Sequence, residues 1–93
     1  MKELPERIKN HVKPIIQRHL YEGKKMDFYA ALTQYDDELR LTFLTVNKQT
    51  EYLAGIYSIP LQAFPELLGF LQDVFIYIAA TQEAAKHEAK KNE

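Results

Sequence analysis

Ninety-three residues, 46% of them hydrophobic and 27% charged, with a net charge of −1 and no cysteine, describe a single small domain. That composition excludes disulfides, thiolate chemistry and the strongly basic character of a general nucleic-acid binder. The opening MKELPERIKNHVK has no apolar core of a secretory signal, and Gln72, Asp73 and Tyr77 interrupt the most apolar run, residues 70–80. No segment is therefore expected to be long and apolar enough to cross a membrane, no membrane association is expected, and the protein is expected to be cytoplasmic or nucleoid-associated.

The near-neutral total hides an asymmetry. Residues 1–25 carry seven Lys/Arg against three Glu, whereas residues 26–80 carry two against seven acids. A site for an anionic partner would draw mainly on the first 25 residues.

Along residues 4–22, Leu4, Ile8, Val12, Ile15, Ile16 and Leu20 keep helical spacing, with Pro5 suited to a first turn and Gly23 to a C-cap. Pro14 opposes one unbroken helix, since it removes a backbone donor at a cost of about 3 kcal/mol in a helix interior. Lys13, preceding it, is pushed towards extended geometry. Two readings stand: a helix over 5–12 followed by a strand over 15–22, or one helix kinked at Pro14. Three strands follow. Residues 27–34, 39–46 and 51–59 alternate in character and are joined by the polar turns Tyr35-Asp36-Asp37-Glu38 and Asn47-Lys48-Gln49-Thr50, the pattern of an antiparallel meander.

Pro60 ends the last strand, and Pro65 fits the first turn of a long helix. Phe64, Leu67, Leu68, Leu71, Phe75 and Ile78 form its main apolar stripe, expected to meet the sheet face bearing Phe28, Leu32, Leu39, Leu41, Phe43, Leu53, Tyr57 and Ile59. The opposite face mixes Tyr29, Thr33, Arg40, Thr42, Tyr52 and Ser58 with Leu44, Val46 and Ile56. Its apolar part calls for a cover: the N-terminal segment, another subunit or a ligand. Phe70, Val74 and Tyr77 make a second helix stripe, for which a homodimer interface is the simplest use. The Ala/Glu/Lys-rich tail from Thr81 extends the helix. The fold class is α+β.

No glycine-rich phosphate loop, HExxH or GxSxG occurs. His11, His19 and His87 have no ligand spacing and read as surface histidines, and Asp36 and Asp37 read as turn residues. No catalytic residue, metal or cofactor is expected. Tyr29 and Tyr52, with Arg40 between them in sequence, have the residue types that stack bases and meet phosphates.

Gly23-Lys24-Lys25-x-x-Phe28-Tyr29, Glu38-Leu39-Arg40-Leu41-Thr42, and Ile56-Tyr57-Ser58-Ile59-Pro60 with Phe64-x-x-Leu67-Leu68-x-Phe70-Leu71 together resemble a PUR repeat over residues 15–80. The resemblance implies four antiparallel strands and a helix, association in intertwined pairs as in the related Whirly-type domains, and binding of single-stranded DNA or RNA on the sheet. It places Lys24, Lys25, Tyr29, Arg40 and Thr42 where that family's binding residues lie. Arg18 and Tyr52 complete the expected site. The chain departs from the family in its acidic strands and in Leu44, Val46 and Ile56. Those residues favour the alternative expectation, a non-enzymatic module that docks a protein partner.

Overall fold

The computed structural model describes residues 2–91, with side chains through residue 86. Its elements are helix α1 (Glu6–Val12), strands β1 (Ile16–Glu22), β2 (Met26–Tyr35), β3 (Glu38–Asn47) and β4 (Leu53–Pro60), a 3-10 turn (Leu61–Ala63) and helix α2 (Phe64–Lys91). The four strands form one antiparallel sheet in the order β1-β2-β3-β4. The architecture is α+β, as expected, and it resolves the choice at Pro14: helix first, strand after. The chain divides into two compact units, with Gln62 ending the first and Ala63 opening the second.

Local chemistry accounts for the breaks. α1 stops because Pro14 cannot continue it. Lys13 escapes the clash before proline by turning left-handed (φ 52°), not extended as expected, while its N–H donates to Lys9 O. Gly23 caps no helix. It lies in the β1–β2 turn with its N–H on Met26 O, and a Cβ there would stand 2.8 Å from that oxygen. The β2–β3 connection is the two-residue turn Asp36-Asp37, with Asp36 at φ 54°. Asn47 Oδ1 accepts the N–H groups of Gln49 and Thr50, which shapes the β3–β4 turn.

The face of the sheet that is buried differs from the expectation. The core consists of Leu4 and Ile8 from the N-terminal segment, Tyr29 and Ala31 from β2, and Leu44 and Val46 from β3. Val12 and Leu53 pack against it. The face bearing Tyr29, Thr42 and Leu44 is thus the inner one, and α1 covers it. Of the three covers considered, the N-terminal segment is the one observed. Leu53 joins this face because the β3–β4 register shifts between Thr45 and Val46, changing the parity of the strand. The opposite face exposes Ile16, Tyr21, Phe28 and Tyr57, with Leu32, Leu41, Phe43 and Ile59 half-buried.

Helix α2 is 28 residues long. Of its main stripe, Phe64, Leu68, Leu71, Phe75 and Ile78 are exposed, as are Phe70, Val74 and Tyr77. The segment Leu61–Lys86 is long and apolar enough to cross a membrane by length and composition, with a mean hydropathy of 1.4 over its most apolar window. This corrects the expectation that no segment is: Gln72, Asp73 and Tyr77 are too few to bring the average down. The expected tail begins within this helix, and the side chain of His87 lies outside the described residues.

Candidate functional site

The seven residues expected to bind nucleic acid are divided by the sheet. Tyr29 is 2% exposed: its ring lies in the core and its hydroxyl donates to Glu3 O at 3.2 Å. Burial raises the phenol above its usual range, so it remains a protonated donor. Thr42 is 3% exposed, its Oγ1 2.8 Å from Thr33 Oγ1. Both are withdrawn from any stacking or phosphate contact, because strand alternation puts them under α1. Arg40 is half-buried, with Nε on Ser58 Oγ, Nη1 on Glu38 Oε2 and Nη2 on Ser58 O. Tyr52 is exposed, but the guanidinium of Arg7 sits 4.4 Å from its ring centroid and occupies one face.

Arg18, Lys24 and Lys25 are exposed as expected. Arg18 is opposite Ala30 on the open face, and the two lysines occupy the β1–β2 turn. The register of β1 shifts between His19 and Tyr21, so that Tyr21 falls opposite Phe28, with the rings 5.9 Å apart. Without the bulge, Tyr21 would point to the core face and Glu22 to the open one. Phe43 is opposite both Ala30 and Tyr57, which extends the aromatic series Tyr21, Phe28, Phe43 and Tyr57 across all four strands. Tyr57 is 69% exposed. The sequence pattern puts Phe28, Phe43 and Tyr57 on the face expected to meet the long helix, and a bulge at Leu20 has no signature in the sequence, so the series is visible only in the structure.

A second cluster was also missed. Asp27, 3% exposed, holds Lys2 Nζ at 2.6 Å and His19 Nε2 at 3.1 Å, and Lys2 reaches Glu22 at 3.2 Å. Burial opposes ionisation of Asp27, but the hydrogen bonds from Lys2 and His19 together outweigh it, and its carboxyl lies below the usual range. His19 is therefore not the surface histidine expected: it meets Tyr29 edge-on, with centroids 5.0 Å apart. The cluster ties the N-terminal segment to β1 and β2, which accounts for it without chemistry. Among the described residues no group of three or more His, Asp or Glu side chains is placed to hold a metal ion.

Compared with protein-family models, curated proteins and solved structures, the chain matches none.

Proposed function

We propose that the protein is a non-enzymatic assembly module that pairs with a second copy of itself through α2. The observation that carries this is the exposure of both apolar stripes of that helix, with Phe70 at 61% and Tyr77 at 71%. A helix apolar on most of its circumference is stable only when something covers it, and an isolated helix gains little from its own hydrogen bonds. Eight exposed large side chains on the two stripes, at roughly 100 Å² each, supply about the 800 Å² per partner of an ordinary stable interface. Asp73 favours protein over lipid as the cover, since a carboxylate in mid-bilayer costs about 3 kcal/mol while the rim of a helix pair leaves it in water. Sedimentation equilibrium at micromolar concentration should give two subunits, and Phe70→Asp should give monomer or insoluble protein. A wild-type monomer across that range ends the proposal.

A second reading has its own observation. Tyr21 and Phe28 form an exposed ring pair at the turn that carries Lys24 and Lys25, with Arg18 on the same face. Rings that accept bases beside cations that meet phosphates are the components of a single-strand platform, and the PUR-like pattern points the same way. The platform would be the open face, and Tyr29 and Thr42 take no part in it. Each stacked base is worth about 1–3 kcal/mol. Fluorescence anisotropy with a labelled poly-pyrimidine oligonucleotide should show binding that weakens in Tyr21→Ala and in the double variant Lys24→Glu/Lys25→Glu. Equal binding by all three proteins defeats this reading.

A further inference from the structure

Helix α2 carries two apolar stripes, and a second α2 can cover only one of them, since a helix buries the side it turns to its neighbour. The sheet has an apolar surface with the same need. On its open face Ile16, Tyr21, Phe28 and Tyr57 are exposed, and Leu41 and Phe43 are half-buried. The main stripe of α2, with Phe64, Leu68, Leu71, Phe75 and Ile78, is exposed as well. Helical and strand periodicity match these two surfaces to each other, yet in a single copy both meet solvent.

Charge and shape favour their meeting between copies. From Phe64 to Ala85 the helix holds Glu66, Asp73 and Glu83 and no lysine or arginine, so two such helices side by side repel. The open face presents Arg18, with Lys24 and Lys25 in the turn at its end, and no Asp or Glu occupies its strand positions. An acidic apolar helix is the complement of that face. Beside Gly55 the face has a hollow of about 300 Å³, walled by Phe28, Phe43 and Tyr57 and lined by no Lys, Arg, Asp, Glu or His. It is large enough for an aromatic side chain, and Phe75 on the stripe is 74% exposed. We infer that the open face of each copy receives the main stripe of α2 from the other. The exchange is reciprocal and closes on two copies. Nine exposed side chains of stripe and face, at roughly 100 Å² each, bury about 900 Å² per copy, against about 800 Å² for an ordinary stable interface. The second stripe stays available for contact between the helices. The inference rests on the pairing proposed above and names the surface that completes it. It excludes the single-strand platform, because rings beneath a helix cannot stack bases.

Two measurements on the whole chain test it. In an equimolar mixture of isotope-labelled and unlabelled protein, filtered NOE spectra record contacts between copies alone. They should join the rings of Phe28, Phe43 and Tyr57 to the methyl groups of Leu68, Leu71 and Ile78. In sedimentation equilibrium, Tyr57→Asp and Phe75→Asp should each weaken pairing about a hundredfold or more, because each carboxylate enters both halves of the exchange. Tyr35 is 70% exposed at the far end of β2 with the parity of the core face, so Tyr35→Asp should leave pairing unchanged. A mixture of Tyr57→Asp with Phe75→Asp should pair more tightly than either alone, since it keeps one unaltered stripe opposite one unaltered face. Each variant is checked for a native circular dichroism spectrum, and the NOE measurement needs no substitution. A wild-type monomer ends the pairing proposal and this inference together. A wild-type dimer whose NOEs join α2 only to α2, or pairing that survives Tyr57→Asp, overturns this inference and leaves the pairing in place. So does a mixture no tighter than its parts, or equal dissociation by Tyr35→Asp.

Discussion

Replacing Tyr29 distinguishes the two faces of the sheet most directly. As a base-stacking residue on an outer face it would tolerate truncation with little effect on stability. In the structure its ring is among the most deeply buried side chains, packed with Leu4, Ile8 and Leu44 and met edge-on by His19. Tyr29→Ala should then cost about 3–5 kcal/mol, the range for emptying a buried aromatic site. Tyr29→Phe retains the ring and loses only the hydrogen bond to Glu3 O, so about 0.5–1.5 kcal/mol is expected. A domain of this size has roughly 5–15 kcal/mol in total, so the alanine variant should be near the edge of folding. Tyr52→Ala, which removes an exposed ring and its contact with Arg7, should cost about 1 kcal/mol or less. Urea unfolding followed by circular dichroism, at one protein concentration for all variants, gives the comparison. A loss below about 1 kcal/mol for Tyr29→Ala, or an equal loss for Tyr52→Ala, would refute the assignment of the core to this face.

The Asp27 cluster predicts a pH effect. The folded carboxyl titrates below its unfolded value, so its contribution is complete above the ordinary carboxylate range near pH 4 and is lost as pH falls through the folded pKa. Between pH 7 and pH 3 the urea midpoint of wild type should therefore fall further than that of Asp27→Asn, and parallel falls would count against the cluster. Gly23→Ala should destabilise the β1–β2 hairpin by about 1–2 kcal/mol, because the new methyl meets a backbone oxygen. Gly55→Ala should cost less, since its near neighbour is the Thr45 side chain, which can rotate; the same urea measurement checks both. If α2 is covered by protein and not by lipid, the protein should stay at the bottom of a density gradient loaded with neutral phospholipid vesicles, and flotation with them would reverse that assignment.

Much of the secondary structure was legible because it follows from local rules. Pro14 opposes an unbroken N-terminal helix while leaving a kinked one open, Asp36-Asp37 suits a tight turn, Pro60 closes the last strand, and the alternation from residue 27 to 59 marks strands. Arg18, Lys24 and Lys25 were placed correctly at the surface for the same reason: charged side chains on an edge strand and in a turn have nowhere else to go. Which face of the sheet is buried was not legible, since both faces carry enough apolar residues to serve. Alternation separates two faces and is silent on which one a distant segment will cover. The choice was made by Leu4, Ile8 and Val12 docking on Tyr29, Ala31, Leu44 and Val46, and by the Lys2–Asp27–His19 cluster that anchors the segment beside them. Two bulges then moved Tyr21 to the open face and Leu53 to the core. The sequence by itself determined where β2, β3, β4 and the long helix lie to within a few residues, because that depends on a residue and its neighbours, and it left strand and helix both open for residues 15–22. Tertiary packing decided which side chains meet solvent, because that depends on contacts between residues some twenty to forty positions apart, whose combined burial outweighs the local preference of any one of them.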